Sequence, residues 1–212
     1  MSRRPVLVPV VALLSVSGLG VTAGTGGLDT ESDSPPKQYQ AGATIDQKLF
    51  KTQFVKAVDV AEGDRHAVEL VLKVTNEGDR TESVGAMATG PMVSRHGRLG
   101  STILKTTPPL GKPDSYPEIG VWSHGVRSFQ LHPGITHTVV IRYDLPEGAA
   151  PPEKVTIDVG GFVEEPVSRR DPRELWQVEP DKDLPTGAGD EMAPVKPKVI
   201  AQVTLPVRPE EA

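Results

Sequence analysis

The sequence predicts an all-β fold: a two-sheet antiparallel sandwich of about seven to nine short strands, preceded by one N-terminal hydrophobic helix. Three observations carry this. Apolar residues alternate with polar ones in Val68, Leu70, Leu72 and Val74, again in Val139, Ile141, Tyr143 and Leu145, and again in Val155, Ile157 and Val159, which is how a half-buried strand reads. The chain holds 21 Gly and 21 Pro among 212 residues, so turns are frequent. Beyond the N-terminus, no segment of about 11 or more residues repeats its apolar positions with a helical period.

The N-terminus reads as an address. Arg3 and Arg4 precede a stretch from Pro5 to Leu28 without a charged residue, its apolar centre running from Val6 to Val21. Cations on the N-terminal side hold that end in the cytoplasm and send the rest outward. Residues 1–28 are therefore a signal peptide, cleaved near Ala23 after Val21-Thr22-Ala23, or a signal-anchor helix that stays in the membrane. As a helix the uncharged stretch is long enough to cross a hydrocarbon core of about 30 Å. The expected location is extracytoplasmic, either secreted or anchored by a single pass.

Residues 29–43 are mostly Asp, Glu, Ser, Thr, Pro, Lys and Gln, and read as a disordered spacer; the folded domain is expected over 44–212. Its first strand runs from Phe50 through Phe54 to Val58 and Val60, although Lys56 falls on the apolar face, which suggests a sheet margin. Val68 to Val74 follows. Glu-Gly-Asp-Arg occurs at 62–65 and at 77–80, and both copies read as turns, with Asn76, the only Asn, closing a strand. Shorter candidates lie at Ser83 to Ala88, Thr102 to Thr106, Ser128 to Leu131 and Leu175 to Val178. His132-Pro133-Gly134 and Leu145-Pro146-Glu147-Gly148 bracket the strand that begins at Thr136, and the last strand places Val199, Ala201, Val203 and Leu205 on one side. Two Pro- and Gly-rich or acidic stretches, 89–127 and 164–197, read as long loops, the first with at most one short strand.

The run from Val68 to Asp79, with Leu131 to Gly134 and Val139 to Pro146, resembles the immunoglobulin-like, telokin-like domains of bacterial surface proteins of unknown function, actinobacterial ones among them. The resemblance covers about residues 45 to 163. It implies an immunoglobulin-like sandwich and brings no catalytic residue. The absence of Cys departs from the lipoprotein members and excludes an acylated cysteine, as it also excludes disulfides and thiolate chemistry.

Positive evidence for chemistry is thin. A formal charge of −5 without basic runs argues against nucleic acid as a partner. Among the five His, only His132 and His137 are close enough for a turn to bring together, and no HExxH occurs. No Gly-x-Ser-x-Gly elbow exists, and Glu164 and Glu165, adjacent in a strand, point to opposite faces rather than flanking one bond. The sequence therefore names no catalytic residue, metal or cofactor. The expected role is a non-enzymatic module binding a protein or cell-envelope component through loop residues Arg95, Arg98, Tyr116, Trp122, His124 and Arg127, because aromatic and Arg side chains are enriched in contact surfaces. The alternative is a secreted hydrolase or metal-dependent enzyme assembled from His96, His124 and acidic loop residues.

Overall fold

The computed structural model describes residues 35–85, 98–112, 115–123, 125–168, 171–181 and 196–210. The proposed export segment, the spacer up to residue 34, Arg95, His96 and His124 lie outside them. Among the described residues, no helix is long and apolar enough to cross a membrane.

Among the described residues fourteen strands form: β1 (Lys37–Gln40), β2 (Thr44–Asp46), β3 (Phe50–Glu62), β4 (Arg65–Asn76), β5 (Glu82–Ser83), β6 (Ile103–Thr107), β7 (Glu118–Ser123), β8 (Val126–Ser128), β9 (Gln130–Leu131), β10 (Thr136–Asp144), β11 (Lys154–Gly160), β12 (Phe162–Ser168), β13 (Asp171–Val178) and β14 (Val199–Pro209). A 3-10 turn, η1 (Leu99–Thr102), precedes β6. Two layers result. One has the order β1-β14-β11-β6; in the other β3, β4, β10, β7 and β8 follow one another, with β2 on the free side of β3. Strand β14 belongs to both. Up to Pro206 it pairs antiparallel with β11, and from Val207 to Pro209 it pairs parallel with Ala57–Asp59 of β3. A strand that changes sheets closes a corner of a sandwich.

The filling between the layers follows from the period-two pattern. Leu70, Leu72, Val74, Val139 and Ile141 from one sheet meet Val155, Ile157, Val159, Val203 and Leu205 from the other, all fully buried in one cluster. Phe50 and Phe162 meet edge to face, ring centroids 5.3 Å apart. A fully buried aliphatic or aromatic side chain contributes about 1.5–3 kcal/mol of transfer free energy, so this cluster is what holds the layers together.

Five expectations need correction. The strands number fourteen among the described residues rather than seven to nine, because short edge and hairpin strands pair without showing a clear period, and the pairing is not wholly antiparallel, since β14 runs parallel to both β1 and β3. Lys56 does not sit on the core face: the β3 register shifts between Phe54 (opposite Leu72) and Lys56 (opposite Val71), and this bulge turns Lys56 outward while restoring Ala57 to the interior. The spacer is shorter than its composition suggests, because Lys37–Gln40 forms β1 in parallel register with Ala201–Thr204. An edge strand needs only backbone pairing and one anchor, here Tyr39 against the core, so its other residues stay polar. The stretch 89–127 is not one irregular loop: η1, β6, β7 and most of β8 lie in or across it, and in β7 Ile119 and Val121 alternate into the core around Gly120. The 164–197 stretch likewise begins as a hairpin, β12 with β13.

The first Glu-Gly-Asp-Arg copy is the hairpin turn between β3 and β4, where Glu62 opposes Arg65. The second follows Asn76 at the end of β4, and Asn76 is completely buried. Its amide is occupied on both sides, Nδ2 donating to the carbonyls of Arg80 (2.7 Å) and Leu131 (2.9 Å) and Oδ1 accepting from Gly78 N–H (2.9 Å).

Candidate functional site

Two surface features stand out, and they divide the residues that the sequence grouped together. The first is the β7–β8 ribbon. Its strands pair antiparallel, Trp122 opposite Arg127, and β7 also pairs with β10, which places Thr138 beside Trp122 on the face turned away from the core. β8 ends the sheet, so among the described residues its outer edge has no strand partner. Arg127 lies flat across Gly120, where an added Cβ would come within 2.6 Å of its Nε; only glycine leaves that space. The guanidinium donates to Glu118 Oε2 (3.1 Å) and to the Ile119 carbonyl (3.0 Å), and its carbon stands 5.2 Å from the Phe129 ring centroid. Trp122 and Phe129 beside it remain 45% and 53% exposed; Val126, next to Arg127 in β8 and so on the opposite face of the ribbon, is 68% exposed, and Tyr116, just upstream, is 70% exposed. Large apolar side chains left in water this close together in sequence, beside a free strand edge, are unusual for a surface with no contact to make.

The second feature is a groove of about 340 Å³. On one side stand the turn after β4 with Asp79 and Arg80, then Glu82 of β5, then Arg98 at the start of η1; on the other stands the β12–β13 hairpin with Glu164, Glu174 and Trp176. Arg98 is set in place by Gly85, whose φ of +67° belongs to the left-handed region and whose missing Cβ would fall 2.6 Å from Arg98 Cδ. Burial raises the Glu82 carboxyl above its ordinary pKa, against the opposing pull of Arg80 and Arg98.

Of the six residues expected from sequence to form one contact surface, Trp122 and Arg127 are direct cross-strand neighbours. Tyr116 borders a small separate recess of about 150 Å³ with Glu118 and Arg142, and Arg98 belongs to the groove. Arg95 and His124 lie outside the described residues, as does His96, so the alternative enzyme site has no geometry to report. Sequence reasoning missed Val126, inside the stretch 89–127 read as a long loop, and Phe129, inside the short strand candidate Ser128 to Leu131, and it missed the groove altogether. Glu164 and Glu165 do point to opposite faces, opposite Trp176 and Leu175 respectively.

The His132–His137 pair is occupied by turn chemistry. His137 Nε2 accepts the backbone N–H of His132 (3.1 Å), and His132 Nδ1 shares a hydrogen bond with Thr81 Oγ1 (3.0 Å). Among the described residues no group of three or more His, Asp or Glu is placed to hold a metal ion. Burial, with the neighbouring His132 second, lowers the His137 pKa. The unfolded chain, with an ordinary value of about 6.5, then binds more protons than the folded one, so this group stabilises the fold above that pH and the benefit is lost on acidification. Urea midpoints measured at about pH 7.5 and 5.5 should fall with pH, and His137→Gln, which keeps an acceptor but does not titrate, should flatten the trend. An unchanged slope in the variant would assign the trend to other groups.

No family model and no curated protein matches the chain. Among solved structures it is similar to an uncharacterized β-sandwich protein from Clostridium difficile, at 10% sequence identity and a TM-score of 0.40, the likeness covering 62% of this chain and 93% of that one.

Proposed function

We propose that this protein is a non-enzymatic, extracytoplasmic binding module of immunoglobulin-like type, and that it binds a protein partner of the cell envelope through the β7–β8 ribbon. The supporting observation is the exposure of Trp122 and Phe129 beside Arg127, with exposed Val126 on the other face of the same strand, at an edge that has no strand partner among the described residues. An extended segment of the partner adds to β8 through main-chain hydrogen bonds, and the apolar side chains flanking that edge supply affinity and register. The export address of residues 1–28 puts the module outside the cytoplasm, released after Ala23 or held by the Val6 to Val21 helix.

Capture from an envelope extract tests this. Trp122→Ala and Phe129→Ala should each weaken recovery of a partner about tenfold or more, as truncation of a central aromatic does. Leu175→Ala, a truncation of an exposed apolar side chain on the β12–β13 hairpin, should leave recovery intact. Equal recovery by all four proteins would remove the ribbon as the contact surface.

A further inference from the structure

The groove between the β12–β13 hairpin and the turn after β4 carries a charge pattern that the ribbon does not need. Its four carboxylates, Asp79, Glu82, Glu164 and Glu174, outnumber its two guanidiniums. On the side of the β4 turn the charges answer one another: Arg80 Nε lies 3.8 Å from Asp79 Oδ1, and Glu82 sits in the field of Arg80 and Arg98. The hairpin side has no such balance. Glu164 stands directly across from Trp176, and Glu174 is two residues before it on the same face, so one indole is flanked by two carboxylates. Both carboxylates are exposed, and neither is engaged in an ion pair or side-chain hydrogen bond among the described residues. Trp176 is part-buried, with its inner side packed on the core.

We propose that this groove binds a small organic ammonium ion, seated on the Trp176 ring between Glu164 and Glu174. An indole attracts a cation through its quadrupole, most strongly for cations whose apolar body is readily desolvated, and two flanking carboxylates add Coulomb attraction. The volume of about 340 Å³ lies at the small-ligand end of the usual range for binding pockets. The site is independent of the β7–β8 ribbon: no residue is shared, and either function survives loss of the other.

The test uses the chain's two tryptophans, Trp122 and Trp176, as internal reporters. In a proton–nitrogen correlation spectrum of the ¹⁵N-labelled protein each gives one indole signal, assigned by its loss in Trp176→Phe. Choline and spermidine, added separately at constant ionic strength, should shift the Trp176 signal saturably and leave Trp122 unmoved. The Glu164→Gln/Glu174→Gln pair should raise the dissociation constant at least tenfold; Glu174→Gln alone, at the outer end of the hairpin face, should give a smaller increase and serves if the double variant loses spectral dispersion. Absence of a saturable shift with either cation, an equal shift with sodium acetate, or unchanged binding in the carboxamide variants would overturn the proposal.

Discussion

Asn76→Asp should lower the folding free energy by about 3–5 kcal/mol, the cost of leaving an uncompensated charge or an unmet polar group in the interior. The two side chains are nearly the same shape, so packing hardly changes. What changes is that the Nδ2 donors, now facing the carbonyl oxygens of Arg80 and Leu131, become an oxygen. As a carboxylate it is repelled by both; as a carboxylic acid it satisfies at most one. For a chain of this size 1 kcal/mol moves the thermal midpoint by about 2–4 °C, so the transition should drop by roughly 10 °C or more. The effect should also depend on pH. The new carboxyl is buried without a cationic partner, so its folded pKa lies above its unfolded value of about 3.9. The penalty is then smallest below that pH, where both states hold the proton, and grows as pH rises and only the unfolded state ionises. Thermal melts of wild type, Asn76→Asp and Asn76→Ala at about pH 4 and 7 separate the charge from the lost hydrogen bonds; a variant within 1 kcal/mol of wild type at neutral pH would mean that this amide does not hold the turn.

Asn76 also indicates which parts of the molecule are legible in the sequence. Strands β4, β10, β11 and the first part of β14 are covered on one face only, so burial writes a period of two into them. Strand β3 breaks the period at one bulge, and a lysine in the wrong phase is the trace of it. Edge and hairpin strands leave less: β1 is polar because water covers it, β8 has three residues, and β12 runs Glu164-Glu165-Pro166 through its middle. Of the surface features, Trp122 and Arg127 are legible because residue type alone marks them and they lie five positions apart in the chain. The groove is not. Its residues come from the turn at 78–82, from Arg98 and from 164–176, and only the three-dimensional arrangement brings a tryptophan and its carboxylates opposite that turn. Buried polar residues are hardest of all, since Asn and Gln next to Gly, Asp or Lys read as solvated turn residues until the hydrogen bonds are seen.

Gln47 is such a residue, and Gln47→Glu should cost about as much as the Asn76 change, roughly 3–5 kcal/mol. Gln47 stands between β2 and β3 with 1% of its surface exposed. Its Nε2 donates to Thr102 Oγ1 (2.9 Å) and to the Gly160 carbonyl (2.7 Å), and its Oε1 accepts from Thr52 Oγ1 (2.7 Å). Thr102 passes the chain on by donating to the Leu99 carbonyl (2.8 Å). The main chain joins in, with Phe162 N–H donating to the Gln47 carbonyl (3.2 Å). One amide thus ties β3 of one sheet to the end of β11 in the other, and to η1, which carries Arg98 into the groove. Glutamate at this position retains the acceptor for Thr52 and loses both donors, leaving a carboxylate against the Gly160 carbonyl in a dry site. Gln47→Met, of similar length and without charge, removes the hydrogen bonds alone and should cost about 1–3 kcal/mol, so the stability order should be wild type, Met, Glu. A double-mutant cycle with Thr52→Val should return a coupling of about 0.5–3 kcal/mol, because the two side chains share a bond. Urea denaturation measures all of these, and additive single and double variants would show that the layers are held by their apolar filling without help from this network.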